Sequence, residues 1–176
     1  MGRIQFYGAV SLDGFLATED DRLDWLTGLI GLPANIGQET LSQMASAILG
    51  RVTYDTIQAD MTEDLTLNPY NADIPGYVLT HQSRSDQGPL HFTDTPVVDL
   101  AQRLQAKGNV WIVGGQQILT PLLAANLVDD LYLQVAPTLL GRGKRLFGEL
   151  AKPQTFELQA VHQYGPLAEM VYRRQN

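Results

Sequence analysis

Two stretches of this sequence place small, flexible backbone between an apolar run and the start of a helix. In the first, Ala47-Ile48-Leu49 gives way to Gly50-Arg51-Val52-Thr53 just before a short helix predicted over Tyr54–Ala59. In the second, Val110–Val113 ends at Gly114-Gly115 before a helix carrying Ile118. The N–H groups at a helix start have no partner within the helix, and the dipole there favours an anion. Glycine lets the backbone come close to a ligand, while Arg51 and Thr53 add a charge and a hydroxyl. Two such turns suit a ligand with two phosphates. They also fit two tight connections with no ligand, since neither is a Walker loop or a GxGxxG turn.

Other residues carry similar pairs of readings. Asp13, in Ser11-Leu12-Asp13-Gly14, is either a carboxylate beside a substrate or a turn-former holding its own loop. Trp25 either walls a cleft or packs beside a helix start. Gln134 either points into a cleft from its strand or occupies a polar face. The run Gly141-Arg142-Gly143-Lys144-Arg145 is either a phosphate loop or a solvated turn. His81, His91 and His162 are scattered and show no metal-ligand spacing, so no metal is expected.

Composition narrows the classes of function. The 176 residues carry 12 Lys+Arg against 19 Asp+Glu, a net charge of −7, which argues against a nucleic-acid or anionic-membrane surface. With 44% hydrophobic and 18% charged residues the chain reads as an ordinary globule. Zero cysteines rules out disulfides, thiolate zinc sites and a cysteine nucleophile. No apolar run reaches the ~18 residues of a membrane span, and the N-terminus lacks a signal-peptide pattern. The expectation is a soluble, cytoplasmic protein with one domain over residues 1–176.

The elements that must position these residues alternate between strand and helix. Ile4–Val10 reads as a strand, with a local hairpin turn at Asp13-Gly14. Leu32–Met44 has the spacing of a helical face, and Ala47–Leu49 reads as a buried strand. Residues Asp60–Pro75 read as a loop, and Tyr77–Thr80 as a strand. Thr95-Pro96 starts a helix, with Thr95 as its cap and Pro96 at its first position, carrying Val97, Leu100, Ala101 and Leu104. Val110–Val113 is apolar on both faces, as a central parallel strand should be. A helical stripe through Ile118, Leu119, Leu122, Leu123 and Leu127 follows, then a strand at Leu131–Val135 and a loop over Pro137–Lys144. Strands near Thr155–His162 and Ala168–Arg173 join through Gly165-Pro166 as a hairpin. This order gives an α/β fold with a mixed sheet and helices on both faces.

Taken in order, several motifs resemble the dihydrofolate reductase superfamily. They are Ser11-Leu12-Asp13-Gly14-Phe15-Leu16-Ala17, Leu49-Gly50-Arg51-Val52-Thr53-Tyr54, Tyr77-Val78-Leu79-Thr80 and Trp111-Ile112-Val113-Gly114-Gly115. Asp130-Leu131-Tyr132-Leu133 and the run from Pro137 to Phe147 complete the set. The branch it looks most like is the reductase (C-terminal) domain of the bifunctional riboflavin-biosynthesis deaminase-reductase and its stand-alone relatives. The likeness spans about residues 2 to 174.

The resemblance implies a three-layer dihydrofolate-reductase-like fold of about eight strands, mainly parallel, with an NADPH site across the strand carboxyl ends. Gly50, Arg51 and Thr53 would meet the cofactor phosphates. Thr80, His81 and Arg84 would lie beside the adenosine and its 2′-phosphate. Gly114, Gly115, Gln116 and Gln117 would cradle the pyrophosphate, with a cis Gly–Gly bond as is frequent in the family. Ala9 and Leu16, the latter in the Asp13–Ala17 loop, would face the nicotinamide, a placement that replaces the local hairpin reading. The resemblance also implies a homodimer.

Two positions depart from the family pattern. Asn35 stands near the place where folate reducers carry an acid, with Glu39 one helical turn on, and an amide is no useful general acid. Val113 stands where the riboflavin branch has a glutamate before its Gly-Gly pair. With Asp13 as candidate catalytic carboxylate and Trp25, Asn35 and Gln134 as candidate substrate contacts, the expected activity is NADPH-dependent reduction of a small heterocycle. Reduction of a 5-amino-6-(5-phosphoribosylamino)uracil-type pyrimidine leads. The alternatives are dihydrofolate reductase-like activity and a non-catalytic NADPH-binding module.

Overall fold

The apolar runs form one eight-stranded sheet. A computed structural model describes residues 1–60 and 66–175, with only the backbone of residue 60. The strands are β1 (Ile4–Ser11), β2 (Phe15–Ala17), β3 (Met44–Gly50), β4 (Gly76–Leu79), β5 (Leu90–Thr93), β6 (Asn109–Gly114), β7 (Asp130–Ala136), β8 (Lys144–Arg145), β9 (Phe156–Tyr164) and β10 (Leu167–Arg174). The helices are α1 (Asp24–Thr27), α2 (Gln38–Leu41), α3 (Arg51–Asp60), α4 (Val97–Gln105) and α5 (Gln116–Ala124). The main sheet runs β5-β4-β3-β6-β1-β7-β10-β9, parallel except where β10 joins β7 and β9; β2 and β8 form a separate ribbon. The expected mixed sheet with its C-terminal hairpin is what the chain adopts.

Strand periodicity divides the core into two layers. Ile4, Phe6 and Val10 of β1 pack with Ile48, Val110 and Ile112 under the Leu119 and Leu122 stripe of α5 and the Leu100 and Leu104 stripe of α4. Burying each such side chain contributes about 1.5 to 3 kcal/mol. The intervening residues face the other way. Tyr7, Ala47 and Trp111 meet Leu41 of α2, while Leu49 and Val78 meet Tyr54 of α3. Helices therefore cover both faces.

Several expectations are corrected. Leu32–Met44 is not one helix: α2 keeps only Gln38–Leu41, and Met44 opens β3. Gly37 interrupts the run at φ 79°, where the Tyr7 hydroxyl leaves no room for a side chain. The Asp13-Gly14 turn leads into β2, but β2 pairs with β8 rather than back onto β1. Helix α3 starts at Arg51, which brings Arg51 and Thr53 into its first turn. Of the expected loop over Asp60–Pro75, residues 61–65 lie outside the described residues. Strand β5 was not expected. Pro96 is the N-cap of α4 rather than its first helical residue, and the Thr95 hydroxyl bonds Thr93 at 2.8 Å instead of capping. Leu127 lies beyond the end of α5.

Candidate functional site

The parallel strands deliver three helix starts to one edge of the sheet. There they border a cleft of about 1060 Å³. Helix α3 follows β3 without a break, so Gly50, Arg51 and Thr53 line it. Gly114 and Gly115, joined by a cis peptide bond, lead β6 into α5, and Gln116, Gln117 and Ile118 line the same space. The sequence reading missed a third contributor: Thr95, Pro96 and Val97 at the start of α4. Neither α4 nor α5 has a side-chain cap hydrogen bond, so their first-turn N–H groups remain available to an anion, except that of Ile118, which donates to the Gly115 carbonyl at 3.0 Å.

The rest of the cleft comes from β1, the β2 ribbon and the end of β4. Ala9 and Leu16 line it, with Gly8, Leu23 and Leu26 beside them. A Cβ at Gly115 would lie 3.7 Å from Leu16 and 3.8 Å from the Thr53 hydroxyl. Gly115 thus leaves a hollow between the β2 loop and α3. Thr80 and His81 lie beyond Leu79, and Gln82, not anticipated, joins them; its N–H donates to the Thr80 hydroxyl at 3.0 Å. Among the described lining residues the carboxylates are Asp21 and Asp94, and the full cations are Arg51, Lys144 and Arg145. Lys144 pairs with Asp21 at 3.7 Å, and the Arg145 guanidinium stacks 4.8 Å from the Phe15 ring.

Five expected site residues, Asp13 among them, do not line this cleft. Arg84 binds Asp55 at 3.0 Å and packs over the Tyr54 and Phe92 rings. Asp55 also holds Arg51, one turn back on α3. Arg84 therefore sets Asp55, which in turn orients Arg51. Trp25 is half-buried on α1, its indole N–H without a partner among the described residues. Asn35 borders a second cavity on the Tyr7 face of the sheet, as does Glu39. Gln134 is buried beside Ala9 and donates to the Tyr7 hydroxyl at 2.6 Å and to Glu169 at 2.9 Å.

Asp13 likewise sits outside the cleft. Its carboxylate accepts hydrogen bonds from the Ser11 hydroxyl at 2.7 Å and from the N–H groups of Leu140 and Gly141 at 3.1 and 2.7 Å. The Ser11 bond first, then those backbone bonds, pull its pKa down to about 2. Asp13 fastens the loop after β7 to the turn after β1. The Gly141–Arg145 run is split: Gly143, Lys144 and Arg145 reach the cleft, while Gly141 is held by Asp13.

This cleft lies at the carboxyl ends of an open α/β sheet, where such folds take their ligands, and is fronted by helix starts. The chain matches the RibD C-terminal domain over residues 3–168 and belongs to that family. It is 30% identical to the uncharacterized Bacillus subtilis (strain 168) protein YwjB, over 96% of this chain and 95% of the other. A crystal structure from Shewanella sp. PV-4, assigned to riboflavin biosynthesis by name only, superposes with TM-score 0.82 at 28% identity, covering 100% of both chains. The Thermotoga maritima diaminohydroxyphosphoribosylaminopyrimidine deaminase/5-amino-6-(5-phosphoribosylamino)uracil reductase gives TM-score 0.72 at 14% identity, over 99% of this chain and 57% of that one. Enterococcus faecalis dihydrofolate reductase, complexed with NADP(H), gives 0.63 at 19%, over 99% and 98%. The fold is thus one that this chain shares with dihydrofolate reductase. Among the described residues, no helix is long and apolar enough to cross a membrane.

Proposed function

We propose that this chain is an NADPH-dependent reductase of a small heterocycle, with a 5-amino-6-(5-phosphoribosylamino)uracil-type pyrimidine as the leading substrate. The observation that carries this reading is the meeting of the α3, α4 and α5 starts with Arg51 in one cleft. The hollow at Gly115 supports it, because a bare backbone edge between Leu16 and Thr53 suits close approach of a flat or phosphorylated group.

In this reading Gly114, Gly115 and the first N–H groups of α5 hold the pyrophosphate, and Arg51 and Thr53 hold a second phosphate region. Thr80, His81 and Gln82 flank the adenosine, and Ala9 and Leu16 bound the nicotinamide. When bound, NADPH supplies the hydride. Val113 lines the cleft where the riboflavin branch has a glutamate, and Asp13 is turned away with its oxygens engaged. Water entering the open cleft supplies the proton. Asn35 and Glu39, on the second cavity, weigh against folate reduction by a cleft carboxylate. A homodimer and a cytoplasmic location complete the proposal.

The test is titration with NADPH and with NADH, following nicotinamide fluorescence and thermal stabilisation. A ligand at 100 times its Kd stabilises by about 2.7 kcal/mol. NADPH should bind and be preferred, and oxidation should then appear with the aminopyrimidine. Binding of neither nucleotide overturns the reductase reading. Binding with no turnover of any pyrimidine or pterin tried would leave the protein an NADPH-binding module.

A further inference from the structure

The structure buries two carboxylates on one face of the sheet and treats them differently. Asp130, 1% exposed, takes Arg3 through Nε at 2.5 Å and Nη2 at 2.8 Å, Arg173 at 3.0 Å and Gln5 at 2.9 Å. Glu169, 4% exposed, has one hydrogen-bond partner among the described residues, the Gln134 amide on one oxygen. No described cation pairs with it. A buried carboxylate is costly unless a cation or several donors meet it.

Glu169 borders the second cavity, about 660 Å³, which shares no lining residue with the cofactor cleft. Its walls add a second carboxylate, Glu39, the side chains of Asn35 and Gln38, and the rings of Tyr132 and Tyr164. It has no lysine or arginine among its described lining residues. The local potential is negative: burial first, then the charge of Glu169, raises the pKa of both Tyr7 and Tyr164, and Glu39 adds to the effect at Tyr164.

Register fixes where this cavity lies relative to the cleft. Ala9 pairs with Gln134, Gln134 with Glu169, and Glu169 with His162, a single row across β1, β7, β10 and β9. Adjacent strands are about 4.8 Å apart, so Glu169 stands roughly 10 Å from Ala9. Gln134 spends its amide N–H groups on Tyr7 and Glu169, which aims the Glu169 carboxylate and leaves its second oxygen unclaimed.

We propose that this cavity binds a planar, cationic or N–H-rich nitrogen group, such as an amidinium or an amino-substituted heterocycle, with Glu169 as its anchor. A flat fork of N–H donors matches a carboxylate, and the tyrosine rings give it walls. The site stands on its own geometry, and only its use as a substrate pocket rests on the reductase reading. It would supply from β10 the recognition carboxylate that neither Asn35 nor Val113 provides.

The probe is benzamidine, with neutral benzamide as its isosteric control, titrated by calorimetry into the full chain. Benzamidine should bind saturably and benzamide about tenfold or more weaker. Glu169→Gln should lose about tenfold or more of the benzamidine affinity while its NADPH titration matches the wild type. Glu169→Asp, which keeps the charge, should fall between. In the wild type, benzamidine should shift the ring proton signals of His162, assigned through His162→Gln, and leave those of His81 in place. Equal binding of the two probes, unchanged affinity in Glu169→Gln, no binding to the folded wild type, or shifts at His81 instead of His162 would each overturn the proposal. The NADPH titration separates that failure from a failure of the reductase reading.

Discussion

The carboxylate of Asp13 accepts the N–H of Gly141 at 2.7 Å, joining residues 128 apart in sequence. That bond, with those from Ser11 and Leu140, makes Asp13 a clamp between two loops flanking the β2–β8 ribbon. Its pKa is about 2, below the ordinary 3.8, so folding favours the charged form. The stabilisation is complete above the unfolded value and is lost as pH falls through the folded one. Asp13→Asn should therefore lower Tm at neutral pH, and the gap from wild type should close between about pH 4 and 2. Melting curves across that range check this. If Asp13 donated the catalytic proton instead, turnover would collapse with Tm unchanged.

Arg51 and Arg84 share Asp55 but should not share an effect on the cofactor. Arg51 lines the cleft, and Arg84 acts only by holding Asp55. A hydrogen bond to a charged partner is worth about 1.5 to 3 kcal/mol, so Arg51→Ala should weaken NADPH binding about ten- to a hundredfold. Arg84→Ala should weaken it by only a few fold, and the Arg51 contribution should shrink with added salt. Fluorescence titrations of both variants at two ionic strengths distinguish them. Equal losses would place Arg84 at the ligand.

What the sequence revealed and what it hid have physical causes. The turns at Gly50 and Gly114-Gly115 were legible because a backbone edge beside a helix start requires small residues there. The Ile118-Leu119-Leu122-Leu123 stripe was legible because one helix satisfies it. The run from Ile36 to Met44 misled because Leu41 and Met44 keep helical spacing while belonging to different elements. Strand β5 buries only Leu90 of its four residues and so leaves a faint pattern. The α4 start was readable as a helix, but its place at the cleft depends on the strand order, which no local motif carries. Glu169 did leave a signal: it alternates with buried Leu167 and Val171, a charge on an inward position of β10.

Gly115 and Gly143 should respond oppositely to alanine. At Gly115 the nearest atoms to a new Cβ are 3.7 and 3.8 Å away, ordinary contact distances, so the fold should tolerate the methyl. That methyl would fill the hollow between Leu16 and Thr53. Gly115→Ala should keep its Tm within about 2 °C, as surface changes of under 0.5 kcal/mol do, and lose most of its NADPH affinity. At Gly143 a Cβ would fall 2.2 Å from the Ala17 carbonyl oxygen, at φ 155°. Gly143→Ala should part β2 from β8 and lower Tm by several degrees. Paired melting and titration of the two variants check both halves.

Asp130 should be the costliest single carboxylate to remove. Burial raises its pKa most, yet bonds from Arg3, Arg173 and Gln5 together outweigh that and hold it below the ordinary value. Folding thus favours the anion, whose contribution is intact above the unfolded pKa of about 3.9 and disappears as pH falls through the lower folded value. Breaking a buried pair costs about 3 to 5 kcal/mol because the partners lose their compensation; Arg3 and Arg173 are partly exposed, so the lower end applies. Asp130→Ala should therefore lose about 3 kcal/mol in urea unfolding at pH 7, and the deficit should narrow toward pH 3. The same charge deletion at Glu169 leaves no arginine stranded, so Glu169→Gln should cost far less. A comparable loss at both positions would mean that Glu169 is paired as fully as Asp130, and would remove the contrast on which the second cavity's ligand rests.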